Sequence, residues 1–380
     1  MPLNRPTAVI GSAIMAPMTH ERWSLEESLY EVTQAALKNA GLRIEDIDGI
    51  VVGCNDQFDG RAIAVMAASG SVGGVDRDIL CTPSAGEHAF VMGVLRIASG
   101  QYETQLVVAW GPTEVSSLPE AERLAADPYF HRRLPLDDLS SFALQANALI
   151  AAQPQAQQLA AALVAQNRRR GAAAYPETAA PAESEAQVAA SAPTRWPLQA
   201  GMLSAPAGGA VALVLASEAH VKKAGITNPA WVRGMGWATE AAFLGDRDLT
   251  AASALESATA QAFGEAGITK ASEIDVAEIC AATPYQELIA YQALGIAGPD
   301  AWAERIRGDG SARPALNPSG GLAAINPVFC GGLVRVAEAA NQVRGSAGRH
   351  QAAQARSALA HAASGPAQMY QTVVVFGRDI

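Results

Sequence analysis

Positive charge is what this chain most conspicuously lacks. Lys and Arg number 27 against 37 Asp and Glu, a formal balance of −10. With no net basic field and no repeated basic stripe, a nucleic-acid role is disfavoured. The densest basic run is Arg168-Arg169-Arg170. It reads either as a solvated helix end or as a grip on a phosphorylated ligand through Arg169. Cysteine is scarce too: Cys54, Cys81, Cys280 and Cys330 stand far apart, with no CxxC pair. That spacing argues against a structural zinc site and against a disulfide scaffold; no metal-ligating residues are expected. No apolar run is long enough to span a bilayer, and MPLNRPTAVIGSAI lacks a secretory core. A cytoplasmic, reduced protein is the expectation.

What is plentiful is apolar surface and glycine, 49% hydrophobic residues and 34 Gly over 380 residues. This suits buried parallel strands joined by tight turns, in one large core or two packed ones. The pattern also repeats. Leu29–Val52 and Leu255–Ile279 superimpose as helices, Leu29 with Leu255, Thr33 with Thr259, Ala36 with Ala262, Leu37 with Phe263. Both stop at Ala-Gly (Ala40-Gly41, Ala266-Gly267), where glycine takes the left-handed cap. Both run through Ile-Asp (Ile47-Asp48, Ile274-Asp275) into a short apolar strand. A second pair matches Gly93–Ala98 before LVVAWG (Leu106–Gly111) with Gly332–Ala337 before TVVVFG (Thr372–Gly377). Two similar α/β halves imply a pseudo-twofold with a ligand site near their junction.

Between the halves the pattern changes. Residues 116–196 turn Ala/Gln-rich and helical (Ser140–Ile150, Gln155–Arg169), then Pro/Ala/Glu-rich. They read as an inserted domain that divides a first half of 1–115 and 197–225 from a second of 226–380. Ala172–Ser191 taken alone resembles a disordered linker; its neighbours argue equally for a partly ordered lid. Pro314–Gly332 is the most turn-dense stretch, which demands close backbone approach.

At these residues the chain resembles the thiolase superfamily, on its sterol-carrier-protein or lipid-transfer branch. The duplicated halves, the insertion, Asn317-Pro318-Ser319-Gly320-Gly321 and the closing Ser357–Gly365 carry the resemblance. It implies an α/β thiolase fold, five αβαβα layers built from two βαβα halves, with an inserted loop domain. A thiolase of this kind takes the acyl group on a cysteine at a helix start, where the helix dipole lowers the thiol pKa. Alignment on Gly86 and Gly100 puts Pro83 there, with Cys81 two residues upstream. The second motif becomes Cys280–Tyr285, the Gly-His-Pro motif becomes Ile325-Asn326-Pro327, and the fourth carries His361.

The resemblance extends to thiolase-like retro-aldolases that cleave β-hydroxyacyl-CoA, steroid-type substrates among them, beside a small zinc-ribbon/OB-fold subunit. Such a cleavage needs a base for the β-hydroxyl proton and donors for the enolate, and no sulfur. The expected activity is therefore C–C cleavage of a coenzyme A thioester, with no bound cofactor. Thiolysis by a relocated Cys81, Cys280 or Cys330, and a non-catalytic subunit, stay as alternatives. Tyr285 and His361 are the candidate acid/base groups and Asn326 an oxyanion donor, each equally readable as packing or turn chemistry. Cys280 and Cys330 sit on motif loops but read first as small hydrophobes. His88, beside Glu87 on the helix after Pro83, is a further candidate, and Tyr370 reads as packing. Ser204 matches the family's pantetheine-contacting serine; Arg169, Gly320 and Gly321 complete the expected coenzyme A contacts. A homodimer through Leu106–Gly111 is also implied.

Overall fold

The computed structural model describes residues 5–18, 23–111, 117–134, 136–179, 181–204, 206–308 and 310–380. The first half runs β1 (Thr7–Met18), α1 (Leu25–Ala40), β2 (Gly49–Gly53), α2 (Asp56–Asp59), α3 (Ala64–Ser71), β3 (Asp78–Thr82), α4 (Gly86–Ala98) and β4 (Thr104–Trp110). The insertion holds α5 (Leu118–Ala125), α6 (Asp138–Ala152), α7 (Gln155–Ala174), α8 (Glu185–Ala189) and the hairpin β5 (Pro193–Arg195) with β6 (Leu198–Gln199). The first half then closes with β7 (Pro206–Ser217) and α9 (Glu218–Ala224). The second half begins with β8 (Ala230–Thr239), α10 (Ser253–Ala266), β9 (Val276–Ile279), α11 (Pro284–Ala293), α12 (Trp302–Arg307) and β10 (Ala315–Leu316). It ends with α13 (Gly321–Ala324), β11 (Asn326–Pro327), α14 (Gly331–Arg344), β12 (Ser357–Ser364) and β13 (Tyr370–Gly377).

The matched helices form for matched reasons. Leu25, Leu29, Val32, Ala36 and Leu37 bury one face of α1, and Ser24 with Glu27 closes a capping box at its start. Gly41 ends it at φ 70°. Leu255, Ala258, Ala262 and Phe263 bury the same face of α10, and Gly267 ends it at φ 69°.

One sheet runs β10-β9-β12-β13-β8-β1-β7-β4-β2-β3, with β11 paired to β7. It is two copies of one five-strand order. β3, β2 and β4 are parallel, and β7 and β1 follow antiparallel. β10, β9 and β12 are parallel, and β13 and β8 follow antiparallel. The copies join where Ala8 faces Trp231 and Val9 faces Ala230. This corrects one expected match. The strand after α14 is β12, the counterpart of β4, whereas Thr372–Gly377 lies in β13, the counterpart of β7. LVVAWG and TVVVFG look alike because both strands are fully buried, not because they hold equivalent places.

Three cores make the layers. α4 and α14 lie between the halves, where Phe90, Val94, Leu333 and Val336 meet Val107, Leu213, Val374 and Phe376. α1 and α3 cover the outer face of the first half through Leu29, Val32, Leu37 and Ala68. α10 and α11 cover the outer face of the second through Leu255, Phe263, Leu288 and Ile289, joined by residues of α6 and α7. The result is the expected five layers, α/β/α/β/α.

β4 lies inside the sheet between β2 and β7, buried along its length. That explains its apolar run and removes it as a dimer seam; β3 is the outer strand of that half. Ala172–Ser191 is no uniform linker: α7 runs through Ala174, and α8 buries Val188 behind a Ser184–Gln187 capping box. α7 packs on α11, α12 and α13, so the insertion sits on the second half.

β8 and α10 approach unusually closely. A Cβ at Gly236 would stand 2.0 Å from the Ala258 carbonyl oxygen, and one at Gly234 2.0 Å from that of Ala262. Neither oxygen belongs to a side chain that can swing away. Gly236→Ala is therefore expected to cost at least ~1–3 kcal/mol in chemical denaturation. An unchanged midpoint would mean that the helix lifts off the sheet freely.

Candidate functional site

Two helices start side by side at the junction of the halves. The Gly86 N–H at the start of α4 donates to the Phe329 carbonyl, 3.0 Å away, just before α14. Pro83, on the turn into α4, is exposed and offers no nucleophile. In the first turn of α4, Glu87 is 1% exposed. Its Oε1 accepts from Ser364 Oγ at 2.8 Å. Its Oε2 has no hydrogen-bond partner among the described residues. A Cβ at Gly332 would stand 2.5 Å from that oxygen, so α14 begins directly against the carboxyl group. His88 is half-buried; its Nδ1 lies 2.5 Å from Ser84 Oγ, and its ring meets Tyr370 edge-on at 5.9 Å. Glu87, His88, Cys330, Ser364 and Tyr370 thus gather at the two helix starts.

Three of the four cysteines are poor nucleophiles here. Cys330 caps α14, is fully buried, and points its thiol at the Gly209 carbonyl, 3.7 Å away. Burial pushes that thiol well up. The Cys280 thiol faces a different carbonyl, Ala363, at 3.6 Å, and burial raises it to about 12. The two share no bond, and neither is a thiolate at neutral pH. Cys81, half-buried on β3, lies 3.4 Å from Cys54, sulfur to sulfur. The thiol–thiol hydrogen bond lowers Cys81 to about 7, while the same bond raises Cys54.

Tyr285 and His361 fall on the other side of the sheet. Along β12, Ala358 and Ala360 enter the central core and Leu359 the outer one. Successive side chains alternate, so His361 shares the outer face with Leu359. It is fully buried, its Nε2 is 2.8 Å from Gln371 Oε1, and burial lowers it to about 4. Tyr285, in the first turn of α11, is fully buried in the same outer core, and burial raises its phenol to about 12. Both shifts run against general-base duty at neutral pH; the neutral Tyr285 hydroxyl, unpartnered among the described residues, remains a donor.

The expected coenzyme A contacts divide as well. Asn326 Nδ2 donates to the Ser204 carbonyl at 3.1 Å, and the Ser204 N–H donates to the Ala282 carbonyl at 3.3 Å. Asn326, Ser204 and the Cys280–Thr283 loop therefore form one chain. Gly320 turns with φ 87° against α7, where a Cβ would meet Gly171 Cα at 2.6 Å. Gly321 follows at φ 59° over the Asn317 side chain; both glycines are buried and serve packing here. Arg169 is exposed on α7, whereas Arg168 is buried, paired with Glu183 and bonded to the Leu203 carbonyl.

Sequence reasoning missed a buried polar network. Arg335 of α14 and Glu278 of β9 pair at 2.8 Å, both fully buried, and Ser319 bonds to both. Asn317 holds the Ile279 N–H and Glu287, and Glu287 also accepts from Asn167 and Tyr291. The signal was present: single charged residues inside the apolar runs VAEI and GLVRVA, which must be paired when buried. A separate groove of about 600 Å³, lined by Thr259, Phe263, Lys270, Gln292 and Arg313, lies at the C-terminal ends of α10 and α11. No helix among the described residues is long and apolar enough to cross a membrane.

Residues 237–378 match the family model described as "Thiolase C-terminal domain-like". Sterol carrier protein 2 of Gallus gallus is 37% identical over 108 residues, which is 27% of this chain and 20% of that protein. Sterol carrier protein 2 of Homo sapiens is 32% identical over 162 residues, 40% of this chain and 29% of that protein. The matched segments thus span under a third of those relatives' length. Among solved structures, the Ltp2-ChsH2(DUF35) aldolase superposes with a TM-score of 0.79 at 16% identity, over 100% of this chain and 99% of that one. The monomeric SCP2-thiolase like protein type 1 from Mycobacterium smegmatis gives 0.75 at 19%, over 100% and 78%. Human mitochondrial 3-ketoacyl-CoA thiolase in complex with CoA gives 0.74 at 16%, over 100% of both chains. Residues 237–378 are thus thiolase C-terminal domain-like, the whole chain takes the thiolase fold, and in sequence it is similar over part of its length to the sterol carrier protein 2 thiolase-like branch.

Proposed function

We propose that the chain cleaves a C–C bond of a β-hydroxyacyl-CoA by a retro-aldol step, without a covalent acyl intermediate. The observation that carries this reading is Pro83 at the turn where α4 starts, with Cys280 and Cys330 buried and held as thiols. In the reaction a base takes the β-hydroxyl proton, the Cα–Cβ bond breaks, and its electron pair enters the thioester as an enolate. Protonation at Cα then leaves a shorter acyl-CoA and a free aldehyde or ketone. His88, the half-buried imidazole at the start of α4, is the group assigned to the proton. Gly331, Gly332 and Leu333 open α14, where a helix leaves N–H groups unpaired. Those donors and the helix dipole favour the enolate oxygen. Ser204 and Asn326 position the pantetheine arm, and exposed Arg169 meets a phosphate. A zinc-ribbon/OB-fold subunit and a homodimer belong to this proposal; the name of the Ltp2-ChsH2 aldolase pairs two components.

One observation favours a second reading. Cys81 alone has a thiol lowered to about 7, which suits thiolysis. The discriminating experiment is intact mass after acid-quenched incubation with acyl-CoA and β-hydroxyacyl-CoA thioesters, with carbonyl release followed in parallel. We expect carbonyl release, no acyl increment, full turnover in Cys81→Ala, and a loss of ~10²–10⁴-fold in His88→Ala. An acyl increment mapping to Cys81 would overturn the aldol reading.

A further inference from the structure

We propose that Cys81 and Cys54 form an oxidant-reactive thiol pair, a modification site that takes a small hydroperoxide and closes to a disulfide. The argument begins with placement. Cys81 sits near the end of β3, the outermost strand of its half, opposite Val52 in the parallel register. Cys54 follows β2 on the loop into α2, with its N–H bonded to the Thr82 carbonyl at 3.2 Å. The sulfurs stand 3.4 Å apart. A disulfide needs about 2.05 Å, so closure asks for a movement of little more than an ångström. That movement falls on an edge strand and a loop start, not on the packed centre of the sheet.

Access and chemistry divide the roles. Cys81 is half-buried, whereas Cys54, Cys280 and Cys330 are buried. The hydrogen bond shared by the two sulfurs favours ionisation at Cys81, the more accessible of them, and a thiolate is the species that attacks peroxide. Cys81 attacks one peroxide oxygen, the O–O bond breaks, and hydroxide leaves, carrying away the Cys54 proton as water. Cys81 is then a sulfenic acid. The Cys54 thiolate attacks its sulfur, the S–S bond forms, and the second oxygen leaves as hydroxide, which takes up the proton that Cys81 released to solvent on ionising and becomes water. Two thiols lose two electrons and two protons, and one peroxide becomes two waters.

The pair also lies against the turn that starts α4. Asn55 Nδ2 donates to the Pro83 carbonyl at 3.3 Å, so the residue after Cys54 already grips the turn after Cys81. The cross-link would pin those two segments. This inference is independent of the proposed reaction, since its readout is a covalent bond.

The test is exposure of the full chain to hydrogen peroxide near neutral pH, alkylation of the remaining thiols, and intact and peptide mass measurement. The expected product has lost two hydrogens, links the Cys54 and Cys81 peptides, leaves Cys280 and Cys330 alkylatable only after unfolding, and reverts with dithiothreitol. Cys54→Ser is expected to stop at a Cys81 sulfenic acid that dimedone traps. Oxygen added to Cys81 in the unaltered chain without the cross-link, or Cys280 and Cys330 oxidised as fast as Cys81, would overturn the proposal.

Discussion

Replacing Arg335 with leucine is expected to lower the unfolding free energy by about 3–5 kcal/mol. Arg335 and Glu278 are each fully buried and pair at 2.8 Å, with Ser319 bonded to both. Removing the guanidinium leaves the fully buried Glu278 carboxylate with Ser319 as its remaining hydrogen-bond partner, and an uncompensated buried charge is costly. The cost is the stranded charge, not the worth of the pair. The double variant Arg335→Leu with Glu278→Gln is therefore expected to recover much of the loss. Urea unfolding followed by circular dichroism reads both. A single-variant loss of about 0–1 kcal/mol, the size for an exposed pair, would mean that water reaches Glu278 and that this core is not closed.

Acidification supplies the second large effect. Burial holds His361 neutral, down to about 4 from an ordinary 6.5. The unfolded chain accepts the proton near 6.5 and the folded chain does so only near 4. The contribution is thus complete above pH 6.5 and is lost as pH falls through 4. Between those values stability falls by up to ~1.4 kcal/mol per pH unit, on the order of 3 kcal/mol in all. His361→Gln keeps a partner for Gln371 and removes the titration. Chemical denaturation of both proteins across this range is expected to show a shallower acid loss in the variant. Parallel curves would place an ion or water beside the imidazole and remove His361 as the acid-sensitive group.

How legible was this molecule in its sequence? The repeated helices were, because α1 and α10 bury the same face and end on the same left-handed glycine. Strand equivalence was not. Full burial makes any strand a run of Val, Leu and Ala, so TVVVFG resembles LVVAWG, while the true counterpart, SALAHAAS, carries small residues facing α14. The motif loops were legible as loops, and Pro83, Cys280, Asn326 and Cys330 do lie at the junction of the halves. Which side of a strand each side chain takes was not. His361 and Tyr285 belong to the outer core, a fact fixed by register and helix docking that no local pattern encodes. Glu87 was legible too: an acidic residue in the first turn of a largely apolar helix signals a charge with a purpose or a partner.

The place of the insertion has a consequence for how the chain is made. β4 hydrogen-bonds on one flank to β2 and on the other to β7. The whole of residues 111–205 separates β4 from β7. A ribosome working at ~5–20 residues per second needs on the order of 5–20 s to deliver that stretch. Throughout that interval the nascent first half carries an unpaired flank of Leu106, Val107, Val108 and Ala109, with β1 equally unmated. Such an edge invites pairing with another chain. Successful biogenesis then depends on what shields that edge until Ser217 has left the exit tunnel, and slow translation through the insertion lengthens the window of risk.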